Sequence, residues 1–91
     1  FFELHNAYPN PFNPITRLSY QLHEDAFVKI TIFDVKGRTV NNLIANKQLA
    51  GFKSVLWNAT DNFGQPVSAG VYLYRIEAGN FSQTKKMLLM K

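Results

Sequence analysis

Few residues of this chain are of types that do covalent chemistry, and none has the spacing such chemistry needs. There is no cysteine, so thiolate nucleophiles, disulfides and cysteine-based zinc sites are excluded by composition. The two histidines, His5 and His23, stand far apart in the sequence. A metal site needs convergent imidazole or carboxylate ligands, and His23-Glu24-Asp25 is one local polar cluster that reads as a solvated turn. Asp61-Asn62 lacks the spaced oxygen ligands of a calcium loop. Ser19 and Ser82 fall on strand-like stretches, and Ser54 and Ser68 lack the glycine elbow of a nucleophile. The six carboxylates lie singly or in turns, and 91 residues build little cleft around any two of them. No enzyme activity, metal or cofactor is expected.

Non-covalent recognition is better provided for. Trp57, Tyr72 and Tyr74 would stack on sugars if exposed in a row, or form a core if buried. Asn58-Ala59-Thr60 and Asn80-Phe81-Ser82 match the glycosylation sequon, but both asparagines sit where turns favour them. The last stretch, Thr84-Lys85-Lys86-Met87-Leu88-Leu89-Met90-Lys91, joins three lysines to an apolar run with no acid after Glu77. An apolar run without alternation suggests a strand covered on both faces, or one awaiting a partner. Lysines also guard edge strands against aggregation.

The elements that must position these groups are strands. From Ile15 to Leu22, Leu18, Tyr20 and Leu22 alternate with Arg17, Ser19 and Gln21, the period of a half-buried strand. Phe27 to Val35 sets Val28, Ile30 and Ile32 opposite Lys29 and Thr31, and Asp34-Val35-Lys36-Gly37 offers a tight hairpin turn. Arg38 to Ala45 predicts a weaker strand, diluted by Asn41 and Asn42, and Asn46 to Gly51 a loop. Leu43 to Leu49 could alternatively form one helical turn. Phe52 to Trp57 puts Val55 and Trp57 on one face. After the Asp61-Asn62-Phe63-Gly64 turn, Val71 to Ala78 separates Tyr72, Tyr74 and Ile76 from Leu73 and Arg75. Burying an unpaired arginine is costly, so the Tyr/Tyr/Ile face should point inward. Gly79-Asn80 is a hairpin dipeptide, and Phe81 to Met90 the last strand. The expected core is Leu18, Tyr20, Val28, Ile30, Ile32, Trp57, Tyr74 and Ile76.

About seven short strands with turn signals between them predict an all-β, immunoglobulin-like sandwich. Residues 1–14 read as a lead-in: Phe1 to Leu4 as an edge strand, then Tyr8-Pro9-Asn10-Pro11-Phe12-Asn13-Pro14, which can be neither helix nor central strand. Tyr8 and Phe12 should pack on the sandwich of residues 15–91. The opening on Phe1-Phe2 suggests a piece cut from a longer protein, with any export signal upstream. No apolar run approaches the roughly 20 residues of a membrane helix. Ten basic and six acidic residues give a net charge of +4, but most are scattered, unlike the dense aromatic-interleaved patch of a nucleic-acid binder.

Several motifs together resemble a known family. They are Tyr8-Pro9-Asn10-Pro11-Phe12-Asn13-Pro14, Tyr20-x-Leu22, Val28-x-Ile30-x-Ile32-Phe33-Asp34 with Gly37-Arg38-x-Val40, Gly51, Trp57, Asp61-x-x-Gly64, Gly70-Val71-Tyr72-x-Tyr74-Arg75 and Lys85-Lys86-Met87-Leu88-Leu89. Their order resembles the C-terminal sorting domains of the bacterial type IX (Por) secretion system, over nearly the whole chain. His23, Phe33 and Ala59 depart from the pattern, standing where Pro, Tyr and Gly are usual. Tyr20 to Arg75 is also similar to the immunoglobulin-like domain of flagellar hook-capping proteins, which lacks the Pro-Asn-Pro opening and the Lys-Lys close.

The resemblance implies a non-catalytic sorting and anchoring module at the end of a larger exported cargo. The cargo would reach the periplasm by an N-terminal signal and pass an outer-membrane translocon. A protease would then process it as it is attached to surface lipopolysaccharide, leaving it secreted or bound to the cell surface. By position, Gly70, Tyr72, Lys85, Lys86, Met87, Leu88, Leu89, Met90 and Lys91 would carry recognition. An accessory sugar-binding domain and a flagellar scaffold are the alternatives.

Overall fold

Alternating side chains make strands because successive residues point to opposite faces, so a sequence of period two can bury one face and solvate the other. The computed structural model, which describes residues 2–90, is built this way throughout. Its strands are β1 (Phe2–Leu4), β2 (Thr16–Leu22), β3 (Ala26–Asp34), β4 (Thr39–Gln48), β5 (Gly51–Trp57), β6 (Gly70–Ala78) and β7 (Phe81–Leu89). They form two sheets, β1-β2-β5 and β4-β3-β6-β7, with every strand pair antiparallel. This is the all-β sandwich that the alternation predicts.

The facing surfaces supply one core. Leu18, Tyr20 and Leu22 from β2 and Trp57 from β5 meet Val28, Ile30 and Ile32 from β3, Tyr72, Tyr74 and Ile76 from β6, and Met87 and Leu89 from β7. Trp57 is 1% exposed, and its indole N–H donates to the Thr60 carbonyl at 2.9 Å. The Tyr72 ring meets it edge-on, with centroids 5.3 Å apart. Arg75 lies on the outer face of β6, its guanidinium 4.7 Å from the centre of the Phe33 ring.

Turns lock the strand ends. The Asp34 carboxylate accepts from the backbone N–H groups of Lys36 and Arg38 and from Arg38 Nε. The backbone bond from Arg38 is the main reason its carboxyl lies below the usual carboxylate range. Asp61 builds the later turn in the same manner, accepting from the N–H groups of Phe63 and Gln65. Asp25 accepts from Ala50 N–H at 2.8 Å, which ties the β2–β3 turn to the β4–β5 turn.

Four expectations are corrected. Asn46 to Gly51 is not a loop, nor Leu43 to Leu49 a helical turn: β4 runs to Gln48 and β5 starts at Gly51, leaving only Leu49 and Ala50 between them. The β3–β4 register shifts at two places, so Leu43 and Ile44, although adjacent, both pack against the core. A bulge of this kind erases the period-two signal. Tyr8 does not pack on the sandwich but is 80% exposed. Its N–H and carbonyl both pair with Arg17, and extended geometry then gives the inward position to Ala7. Finally, β7 is not covered on both faces. Met87 and Leu89 are buried, whereas Leu88 and Met90 are exposed.

Candidate recognition surface

β7 forms an edge of the four-stranded sheet, and its register against β6 is unbroken from Phe81 opposite Ala78 to Leu89 opposite Gly70. In an antiparallel pair every second residue turns its N–H and C=O away from the partner strand. On β7 these are the even-numbered residues, as their partners beyond the sheet demonstrate. Leu88 N–H donates to Asn10 Oδ1 at 2.9 Å, and the Leu88 carbonyl accepts from Phe12 N–H at 3.0 Å. Met90 N–H in turn donates to the Phe12 carbonyl at 2.9 Å. The Pro/Asn lead-in is thus a clasp over the end of the last strand, bridging Phe12 to Leu89 in parallel orientation.

Local chemistry fixes the clasp. Proline holds the residue before it extended, so Tyr8, Asn10 and Asn13 are kept out of helical geometry. Phe12, which precedes no proline and has its own N–H, makes the paired bonds. Its ring is buried against Trp57, with centroids 5.7 Å apart. Upstream, Thr16 Oγ1 donates to the Pro9 carbonyl at 2.8 Å. The Tyr74 hydroxyl accepts from Ala7 N–H at 2.8 Å and donates to the His5 carbonyl at 3.0 Å. Burial is the main cause that pushes the Tyr74 phenol above its ordinary pKa.

Ahead of the clasp the edge changes character. By the same alternation Ser82, Thr84 and Lys86 turn their backbone N–H and C=O groups outward, and no partner for them is found among the described residues. All three are exposed. Lys85 is half-buried, and neither Lys85 nor Lys86 forms an ion pair among the described residues. Arg75 is opposite Thr84, and Leu73 opposite Lys86, so Arg75 and Lys86 are diagonal neighbours on the outer face. Glu77 lies between Ser82 on β7 and Lys29 on β3, opposite both. A shallow groove lined by Asn10, Val71, Lys86, Met87 and Leu88 marks where clasp and open edge meet.

The nine residues expected to carry recognition therefore divide. Lys86, Leu88 and Met90 face solvent, with Lys85 half-covered beside them. Tyr72, Met87 and Leu89 are interior. The Tyr72 hydroxyl donates to the Ser68 carbonyl at 2.6 Å, and burial is the main cause raising its pKa. Gly70 starts β6 at φ 147° opposite Leu89. Lys91 lies outside the described residues. Sequence reading missed Asn10 as a partner of Leu88, and Ser82 and Thr84 as open backbone. The alternation of Asn with Pro was the available signal for the first. Trp57, Tyr72 and Tyr74 are together in the core, so they form no exposed row for a sugar.

The family model of the secretion system C-terminal sorting domain matches residues 6–90, from the clasp to the end of the last strand. The chain belongs to this family. As a type IX secretion C-terminal sorting domain it is a sorting module, and its fate is export to the cell surface or beyond it. The sorting domain is similar to part of dimeric latent PorU from Porphyromonas gingivalis, at 23% identity and a TM-score of 0.76, covering 98% of this chain and 9% of that one. PorZ, a surface component of the type IX secretion system of the same organism, matches at 21% identity and a TM-score of 0.66, covering 97% of this chain and 11% of PorZ. FlgD from P. aeruginosa matches at 19% and 0.64, over 96% of this chain and 70% of FlgD. These likenesses establish a shared fold. No curated protein matches the chain.

Proposed function

We propose that this sorting domain is read by an outer-membrane translocon through β7, with Lys85 and Lys86 as the cationic part of the signal. The observation that carries this reading is the pair of lysines without carboxylate partners among the described residues, on an edge strand whose far end is clasped. The cargo lies upstream and enters the periplasm by its own N-terminal signal. The domain is removed by a processing protease, and the cargo is attached to surface lipopolysaccharide. Gly70 and Tyr72 act by holding the end of β7 in register, and the Leu88 and Met90 side chains add apolar contact.

The test is a reporter fused ahead of this domain in a type IX-competent bacterium. Wild-type fusion should appear on the surface. The Lys85→Ala/Lys86→Ala pair should leave most of it inside with its unfolding temperature unchanged, because neither lysine belongs to the core. Normal delivery of the double variant would remove the lysines from the signal.

A further inference from the structure

We infer that the sorting domain is engaged by strand addition along Ser82 to Lys86, and that the added strand is an extended acidic segment of the secretion machinery. This rests on the sorting reading above and specifies how its site is used. Strand addition requires a row of unpaired backbone donors and acceptors on a straight sheet edge. β7 has such a row from Ser82 to Lys86, whereas at Leu88 and Met90 the row is already taken by Asn10 and Phe12.

The other edges are poorer. β1 has three residues. β4 carries two register shifts, and the 60–62 segment bonds to it, Asn42 N–H donating to Asn62 Oδ1 and Asn62 N–H to the Val40 carbonyl. β5 is regular, but its exposed residues Phe52, Ser54 and Leu56 are uncharged, its one lysine, Lys53, is half-buried, and the neighbouring Arg17 on β2 is already bonded to Ser54 Oγ.

Charge decides the occupant. Lys85 and Lys86 on the strand and Arg75 diagonal to Lys86 make the Thr84–Lys86 part of this margin cationic. β7 carries no carboxylate of its own, and the one acid beside it, Glu77 opposite Ser82, also has Lys29 across from it on β3. Opposite charges on adjacent strands stabilise a pairing, and like charges oppose it. The clasp sets the register: an incoming strand stops where Asn10 holds Leu88, with one of its apolar side chains over Val71 and Leu88 at the groove.

Thr84→Pro tests the proposal in the same fusion. Thr84 turns its N–H away from β6, so proline there costs no ladder bond within the sheet. It removes one outward donor and places a ring in the path of an added strand. The expected result is an unchanged unfolding temperature with surface delivery down about two- to tenfold, the range that a loss of roughly one docking bond produces. Ser82→Pro, at another outward-turned position, should reduce delivery similarly and keeps the test decisive if Thr84→Pro unfolds, while Lys86→Glu, which leaves every backbone donor in place, tests the acidic character of the partner. Folded Thr84→Pro and Ser82→Pro variants delivered at the wild-type rate would overturn the edge proposal while the sorting reading stands, whereas normal delivery of Lys86→Glu would remove the acidic partner and the lysine signal together. A wild-type fusion kept inside the cell would instead sink the sorting reading. If the wild-type chain is a dimer and Thr84→Pro a monomer, the occupant is a second copy, and the acidic partner is wrong.

Discussion

The two halves of β7 share one strand, one register and one neighbour, yet they have opposite relations to the rest of the molecule. From Met87 onward, side chains enter the core on one face and backbone groups are bonded to the lead-in on the outer edge. From Phe81 to Lys86 the side chains are exposed or half-covered, and the outer backbone groups of Ser82, Thr84 and Lys86 have no partner among the described residues. Only the first half can be altered without altering the fold. Deleting Met87 to Lys91 would remove two core side chains and the clasp together, so lost delivery after that deletion would report unfolding as readily as a missing signal.

The largest difference between the halves should appear in Leu89→Ala, which empties a buried site and should cost about 2–5 kcal/mol, against at most about 0.5 kcal/mol for Thr84→Ala on the exposed half. Denaturant unfolding measures both, and equal effects would erase the contrast. Next is Tyr74→Phe, which strands the Ala7 N–H and His5 carbonyl beneath the lead-in at about 1–3 kcal/mol. The tyrosines also set an alkaline limit. Tyr20, Tyr72 and Tyr74 all have raised pKa values, with burial the leading cause. The folded chain keeps protons that the unfolded chain releases near pH 10, so stability should be level below about pH 10 and fall as pH rises through the folded values. A pH series of thermal melts checks this.

Asn10→Ala opens the clasp alone. It should cost about 0.5–1.5 kcal/mol and speed amide exchange at Leu88 while leaving Thr84 unchanged. Unaltered exchange at Leu88 would mean that the side chain of Asn10 does not protect it. The smallest effect should be a gain. Ala59, two residues after the Trp57 that packs on Phe12, has φ 60°, a left-handed conformation that strains any Cβ. Ala59→Gly should stabilise by roughly 0.5–1 kcal/mol, read as a small rise in melting temperature. The glycine usual at this position in the sorting-domain pattern fits that backbone.

Strand identity was legible wherever one face is buried and one wet. β2, β3 and β6 were read from alternation alone, and Arg75 gave the direction of β6. β4 was blurred because its bulge lets Leu43 and Ile44 both turn inward. The end of β7 looked unalternating because Leu88 and Met90 are apolar although exposed. Composition cannot mark a face as wet when its residues are greasy. The lead-in was read as stiff, but its destination was not legible, since proline fixes local torsion and says nothing of what lies across a gap of 78 positions between Asn10 and Leu88.

By itself, then, the sequence determined the periodic part of this protein: an all-strand sandwich, its aromatic core, and a lysine-bearing last strand in the order typical of a sorting domain. Local torsion and the period of two act between neighbours in the chain, so neighbours suffice to reveal them. The tertiary structure alone decided which backbone groups on that strand are taken and which are open. Hydrogen bonds to an edge depend on whatever segment the completed fold brings beside it, and here that segment comes from the opposite end of the chain.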